Sequence, residues 1–203
     1  NALQTIGSFF NVNTNALLVD LGSFNSLNHI GGYLNIIENP LLQNLNGISN
    51  LQSVNGSLSI RGNNSLSNLN NFGALQSING DLRIRNNIAL TDISGIQNID
   101  PNTISVGQLG DGLSIDGNGA LSVCHLNNIC TYLAYPSSTH PRNINGNFGN
   151  CANENSVYAS CGIINNMPGS GNAIAFDGVD DYVVVPNSSN INFNTNDDFT
   201  VET

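Results

Sequence analysis

The sequence predicts a mainly β solenoid in which repeats of 24 residues stack on one another, closed by a cysteine-containing cap and followed by the start of a second domain. Three observations predict this fold. Apolar residues recur in seven columns with a 24-residue period, two of these columns are two residues apart as in a strand, and all four cysteines lie between residues 124 and 161. A repeat this short cannot bury its own apolar side chains, so successive repeats must supply the layers of one core.

Each repeat begins at an apolar position that is leucine in four consecutive units: Leu3, Leu27, Leu51 and Leu75. Positions 8 and 10 of every unit are apolar, and Asn-Gly or Gly-Gly precedes them in three units, which predicts a turn and then a short strand. A seven-residue insertion lies within residues 98–112, and the pattern resumes at Leu113 as a fifth unit. We therefore expect each unit to add one strand to a parallel sheet, with neighbouring strands about 4.8 Å apart.

Position 13 is asparagine in all five units: Asn15, Asn39, Asn63, Asn87 and Asn118. A polar residue that recurs at a corner between apolar columns is expected to form a structural ladder. Each amide would bond the backbone of the adjacent unit where the chain bends. A row of ligand-binding amides is the alternative, and the corner position argues against it.

The consensus of the repeat is L-x-x-I-x-G-x-L-x-I-x-x-N-x-x-L-x-x-L-x-x-I, seen in full as "LQSINGDLRIRNNIALTDISGI" over residues 75–96. It resembles the receptor L domain family, whose members are related to leucine-rich repeats and form a short right-handed β-helix. The bacterial members that it most resembles occur in surface proteins of Bacteroidota and end in a cysteine-containing cap. The resemblance covers residues 1–162 and implies repeats over 1–123 and a cap over 124–162. It also implies a domain that binds or displays and does not catalyse.

The four cysteines are expected to form two disulfides that seal the end of the core: Cys124, Cys130, Cys151 and Cys161. Cys124 occupies an inward column of the last repeat. If residues 123–135 form a helix that ends before Pro136, Cys124 and Cys130 point to different sides, so each is expected to pair with Cys151 or Cys161. Disulfides would place the protein in an oxidising compartment, outside the cytoplasm.

A zinc site is the alternative for this cluster, because His125 and His140 are near the cysteines in the sequence. Zinc ligands usually come as closely spaced cysteine pairs, and the spacings C-x5-C and C-x9-C do not fit that pattern. The sequence therefore favours disulfides over a metal in the cap.

The sequence changes character after the cap. Residues 163–171 are expected to be a linker, and residues 172–203 resemble the opening strands of laminin-G or concanavalin-like jelly rolls, on the segments "AIAFDGVDDYV" and "FTVET". Some jelly rolls of this type use calcium, so Asp177, Asp180 and Asp181 are weak calcium candidates in the complete second domain. A hairpin turn explains the same acidic residues and is favoured. No other cofactor is expected.

Composition narrows the function. The 203 residues carry a net charge of −10, contain no lysine and include 39 asparagines, so nucleic-acid binding is not expected. No apolar run of about 18 residues predicts a transmembrane segment. Because the chain begins at position 23 of a repeat, we expect further repeats before Asn1. Residues 172–203 cover only the opening strands of a jelly roll, so we expect a longer jelly roll that continues after Thr203. The expected location is extracellular or at the cell surface.

The outward face of the predicted sheet is the candidate binding site, and it comprises Phe9, Tyr33, Arg61, Asp81, Arg83, Arg85 and Asp116. In one account, the arginines and aromatic rings bind carboxylate-bearing or sulfated glycans. In the other, Asp81 and Asp116 neutralise the arginines, and the aromatic residues contact a missing repeat. Surface ion pairs of small net worth are common, which favours the second account.

Taken together, the sequence predicts a non-enzymatic binding or adhesion module for a glycan or a surface protein. A structural spacer that presents a carbohydrate-binding jelly roll is the alternative. A polysaccharide-degrading β-helix enzyme is less favoured, because it needs paired carboxylates across a cleft. Only Asp81 and Asp116 qualify on the predicted sheet face, and each is next to an arginine. No Ser-His-Asp or H-E-x-x-H pattern is present.

Overall fold

The computed structural model describes residues 2–108 and 110–163. Residues Asn1–Asn165 belong to one compact unit. The predicted jelly-roll segment and its calcium candidates Asp177, Asp180 and Asp181 lie outside the described residues, as does most of the predicted linker.

The described part is mainly β and its strands are short. They are β1 (Thr5–Ile6), β2 (Phe10–Asn13), β3 (His29–Ile30), β4 (Leu34–Ile37), β5 (Ser53–Val54), β6 (Leu58–Arg61), β7 (Ser77–Ile78), β8 (Leu82–Arg85), β9 (Leu113–Asp116) and β10 (Arg142–Asn145). The two α-helices are α1 (Asn127–Leu133) and α2 (Glu154–Ser160). Single 3-10 turns occupy Asn70–Phe72, Ser94–Ile96, Pro101–Thr103 and Gly149–Cys151.

These strands form two parallel sheets, which confirms the predicted sheet type. The long sheet has the order β10-β9-β8-β6-β4-β2, and the short sheet has the order β1-β3-β5-β7. Neighbouring strands pair at equivalent repeat positions, so that Leu34 lies beside Leu58 and Leu58 beside Leu82. The 24-residue period of the sequence is therefore the register of the sheets.

The core lies between the two sheets because the apolar columns point inward from both. In the long sheet, positions 8 and 10 point inward, and residues such as Leu58 and Ile60 have no exposed surface. The short sheet contributes position 4, where Ile30 and Val54 are equally buried. Each repeat thus buries its apolar residues against the repeats on either side of it, which supplies the main stabilisation of the stack.

The position-13 asparagines form a continuous ladder along the stack. The Oδ1 atom of Asn87 accepts a hydrogen bond from the backbone N–H of Asn63 at 3.0 Å, and its Nδ2 atom donates to the Ile60 carbonyl at 3.0 Å. The same two bonds recur at Asn39, Asn63 and Asn118, and all four ladder side chains are fully buried. Asn15, in the first repeat, is exposed.

The ladder continues into the cap, which the sequence analysis did not predict. Strand β10 pairs with β9 in the same parallel register, and Asn147 accepts a bond from the backbone N–H of Asn118 at 3.0 Å. The Nδ2 atom of Asn147 donates to the Ile115 carbonyl at 2.8 Å. The segment "RNINGN" at 142–147 matches "LSIDGN" at 113–118 in its isoleucine, glycine and asparagine. This match is the sequence pattern that could have predicted the extra strand and the end of the ladder.

Two disulfides lie within the cap: Cys124 to Cys151 and Cys130 to Cys161, with Cα atoms 5.4 and 5.5 Å apart. The prediction that Cys124 and Cys130 do not pair with each other is confirmed. Helix α1 is shorter than the predicted 123–135, because the extended backbone of Leu126 delays its start. Cys124 is therefore outside the helix, in its inward repeat column, and is fully buried.

All four cysteines are in disulfides, so none of them can supply the thiolate ligand that the predicted alternative of a zinc site requires. His140 instead packs on the Tyr135 ring, with centroids 4.3 Å apart. Among the described residues, neither helix has the length or the apolar character needed to span a bilayer.

Candidate functional site

The outward face of the long sheet brings the predicted arginines together. Strand pairing places Arg61 of β6 beside Arg85 of β8, and Arg83 beside Ser59. These neighbours result from the register alone, because equivalent repeat positions lie side by side. Arg83 is largely buried, whereas Arg61 is exposed.

Each arginine of this face has a carboxylate partner. Arg61 pairs with Glu38 at 2.7 Å, Arg83 with Asp111 at 2.5 Å, and the Nε atom of Arg85 with Asp116 at 2.8 Å. Of these three partners, only Asp116 was predicted from the sequence. Glu38 comes from the turn after β4, and Asp111 comes from the insertion.

These ion pairs neutralise the positive charge on which binding of an acidic glycan would depend. The face holds three guanidinium groups and three partner carboxylates, so its formal charges balance. An exposed pair such as Arg61 and Glu38 contributes little to stability, but it does neutralise the field that an anionic ligand would meet.

Asp81 is not a surface residue, which corrects its assignment to the binding face. Its side chain is fully buried, and Oδ1 accepts hydrogen bonds from the backbone N–H groups of Gly107, Asp111 and Gly112 at 2.9 to 3.0 Å. Asp81 therefore anchors the insertion to the sheet. A carboxylate that accepts several backbone N–H bonds is well satisfied in a buried site.

The insertion reaches Asp81 by folding back over the long sheet. Ile104 pairs with Gly80 in a parallel bridge, and Asp111, just before β9, contacts Arg83 and Arg85 of the outward face. Gly107 makes the close approach possible, because a Cβ there would lie 2.5 Å from the Asp81 carboxylate and 2.6 Å from the Ser57 hydroxyl.

The folded insertion and the sheet enclose a groove, which we call the loop groove. Its volume is about 600 Å³. The floor comes from position 9 of three adjacent strands: Asn35, Ser59 and Arg83. The walls include the side chains of Tyr33, Asn55, Asn79, Val106 and Gln108.

Three polar side chains of the loop groove have open hydrogen-bonding capacity. Within residues 2–108 and 110–163, Tyr33, Asn35 and Ser59 make no side-chain hydrogen bond. Ser59 is only 8% exposed, whereas Ser114, in the same column, donates to Asp116 at 2.7 Å. The Ser59 hydroxyl keeps enough exposure for water or a ligand to bond it, and the Nε atom of Arg83, on the same floor, is buried without a hydrogen-bond partner in the described part of the chain. Buried polar groups usually have partners, so this floor indicates a site that solvent or a ligand completes.

The predicted aromatic residues form a stacked pair at one end of the groove. The rings of Phe9 and Tyr33 are 5.1 Å apart and only 6° from parallel. Tyr33 lines the groove, and Phe9, which is 52% exposed, lies outside it. The pair places a rigid apolar surface beside the polar floor.

A second polar cluster, in the cap, is structural. The fourth arginine, Arg142, has a side chain only 6% exposed and binds Glu154 at 2.9 Å, the Tyr135 carbonyl at 2.7 Å and the Tyr158 hydroxyl. Desolvation lowers the pKa of Arg142, but the hydrogen bonds to Glu154 and Tyr158 outweigh this effect and raise it. Desolvation, with the hydrogen bond to Glu154, also raises the pKa of Tyr158. The cluster joins β10 to α2.

Tyr132 is the most deeply buried titratable group of the cap. It is 1% exposed, and its hydroxyl donates to the Pro141 carbonyl at 2.9 Å. Burial raises its pKa to about 12. The group is therefore neutral at physiological pH and acts as a hydrogen-bond donor that holds the chain entering β10.

Comparison of the chain with models of protein families, with curated proteins and with solved structures gives no significant match.

Proposed function

We propose that the protein is a non-enzymatic, extracellular binding or adhesion module, built as a right-handed β-helix of the receptor L domain type. It would bind its ligand on the outward face of the long sheet. The observation that carries this proposal is the loop groove, in which an insertion departs from the repeat and lines one groove together with three adjacent strands. A stack of regular repeats needs no such insertion to be stable, and functional residues concentrate in loops held by a rigid scaffold.

The state of the carboxylates supports binding over catalysis. Asp116 bonds both Arg85 and the hydroxyl of Ser114, and Asp81 is buried against backbone N–H groups. A glycosidase needs one carboxyl group that donates a proton and a second that faces the substrate. Both candidate carboxylates instead make structural contacts, through Oδ2 in Asp116 and through both oxygens in Asp81.

The disulfides support an extracellular location. Bonds of this kind persist in oxidising compartments and are rare in the cytosol. The Cys124–Cys151 and Cys130–Cys161 pairs lie at the cap end of the core.

An array of glycans and extracellular proteins tests the proposal. The labelled 203-residue chain is expected to bind at least one component. Asn35→Arg, on the groove floor, should then weaken binding at least tenfold, because a long charged side chain fills the groove. Gln76→Arg, at an exposed position beside the short sheet, adds the same charge elsewhere and should leave binding unchanged.

Two results would refute the proposal. One is binding that persists in Asn35→Arg and is lost in Gln76→Arg, which would move the site to the other side of the stack. The other is release of reducing ends from a polysaccharide panel, which would make the protein an enzyme. Groove variants that change no interaction at all would favour the spacer alternative, for which the continuous ladder provides stiffness.

A further inference from the structure

The loop groove has the chemistry of a site for an uncharged ligand that is rich in hydroxyl groups. We propose that it binds a neutral oligosaccharide, which lies across β4, β6 and β8 with its chain running along the stack. This inference rests on the proposed binding function and specifies its ligand class.

The polar lining argues for hydroxyl groups in the ligand. The amides of Asn35, Asn55 and Asn79 can each donate and accept hydrogen bonds, as can the hydroxyl of Ser59. Sugar hydroxyls have the same dual capacity. Because Asn35 and Ser59 have no protein partner in the described part of the chain, a bound sugar would satisfy them without breaking an existing bond.

The electrostatics argue for a neutral ligand. Among the described residues of the lining, only Arg83 is charged, and its Nη2 atom already pairs with Asp111 at 2.5 Å. A ligand carboxylate or sulfate would have to displace Asp111 and would meet a face on which the guanidinium groups are already balanced by carboxylates. The cost of separating a largely buried ion pair disfavours that exchange.

The aromatic pair and the opposite wall argue for sugar rings. Tyr33 presents its ring at the end of the groove, and its stacking on Phe9 holds the ring in place without a ligand. Val106, 57% exposed on the insertion, supplies an apolar contact on the other side. Carbohydrates combine an apolar ring face with polar edges, and an aromatic ring beside amides matches both.

The spacing of the floor supports a chain of sugars and not a single one. Asn35, Ser59 and Arg83 are in register on adjacent strands, and such strands lie about 4.8 Å apart. This step is comparable to the length of one sugar unit in an extended polysaccharide. The groove volume of about 600 Å³ also falls in the range of sites that enclose a small ligand.

The test uses the 203-residue chain and three sets of oligosaccharides: neutral hexose and N-acetylhexosamine chains, uronate-containing chains and sulfated chains. We expect binding to a member of the neutral set, with a Kd by calorimetry that changes by less than about twofold between low and high salt. Tyr33→Ala and Asn35→Ala should each weaken that binding about tenfold. Asn11→Ala is the matched control, because Asn11 occupies the same column on β2 and lies outside the groove.

Thermal melts establish that each variant is folded, and Asn35→Ala provides an independent test if Tyr33→Ala is unstable. The inference is overturned by binding confined to the charged sets with steep salt dependence, by equal losses in Asn35→Ala and Asn11→Ala, or by no saccharide binding. If no saccharide binds but an extracellular protein does, and Asn35→Arg blocks it, this inference fails and the proposed function stands. If nothing binds, both fail.

Discussion

The asparagine ladder makes a quantitative prediction at its centre, Asn87. Replacing Asn87 with alanine removes the acceptor of the Asn63 backbone N–H, which is buried and has no alternative partner among the described residues. It also removes the bonds from Nδ2 to the Ile60 carbonyl and to Oδ1 of Asn118. An orphaned buried donor costs about 1–3 kcal/mol, and each further hydrogen bond contributes about 1 kcal/mol.

We therefore expect Asn87→Ala to lower the free energy of unfolding by about 3–5 kcal/mol. For a chain of this size, that corresponds to a decrease in Tm of about 6–20 °C. Urea unfolding followed by circular dichroism measures the free energy, and calorimetry measures the Tm.

Two control variants separate the ladder from a general effect of losing an asparagine. Asn64→Ala changes an exposed neighbour of the ladder, and its free energy of unfolding should stay within about 0.5 kcal/mol of that of the unmodified protein. Asn15→Ala removes the exposed end of the ladder, where water can replace the lost bonds, and should cost less than about 1 kcal/mol. If Asn87→Ala proves no more harmful than Asn64→Ala, the ladder does not stabilise the stack.

Two further predictions concern close packing and pH. Gly95→Ala should lower the free energy of unfolding by about 1–3 kcal/mol in urea titrations, because the added Cβ would overlap the carbonyl oxygen of Leu69 in the preceding repeat. Gly119→Ala is the control, because a Cβ there meets open space and should leave the free energy of unfolding nearly unchanged. Because the folded state raises the pKa of Tyr132 to about 12 from 10.0, the unfolded chain loses this proton first, so stability should fall between pH about 10 and 12. Tyr132→Phe should flatten that fall, and an equally steep fall in the variant would assign it to other groups.

The candidate site was only partly predictable. Register placed Arg61 beside Arg85 and located Tyr33 and Arg83 on the outward face. The partners of those arginines were not predictable, because Asp111 reaches Arg83 through an insertion whose path the repeat does not specify. Asp81 was misassigned for the same reason, since the insertion covers it.

By itself, the sequence determined the period, the strand positions, the inward columns and the asparagine ladder. Each repeat contacts only its neighbours, so every one of these contacts recurs at the same sequence offset and is visible as a column. Only the tertiary structure decided which features break the period: the burial of Asp81, the ion pairs of Asp111, the extra strand β10 and the ladder end at Asn147. These contacts join segments at irregular sequence offsets. The path of the chain, and not a repeated local pattern, determines which residues contact each other there.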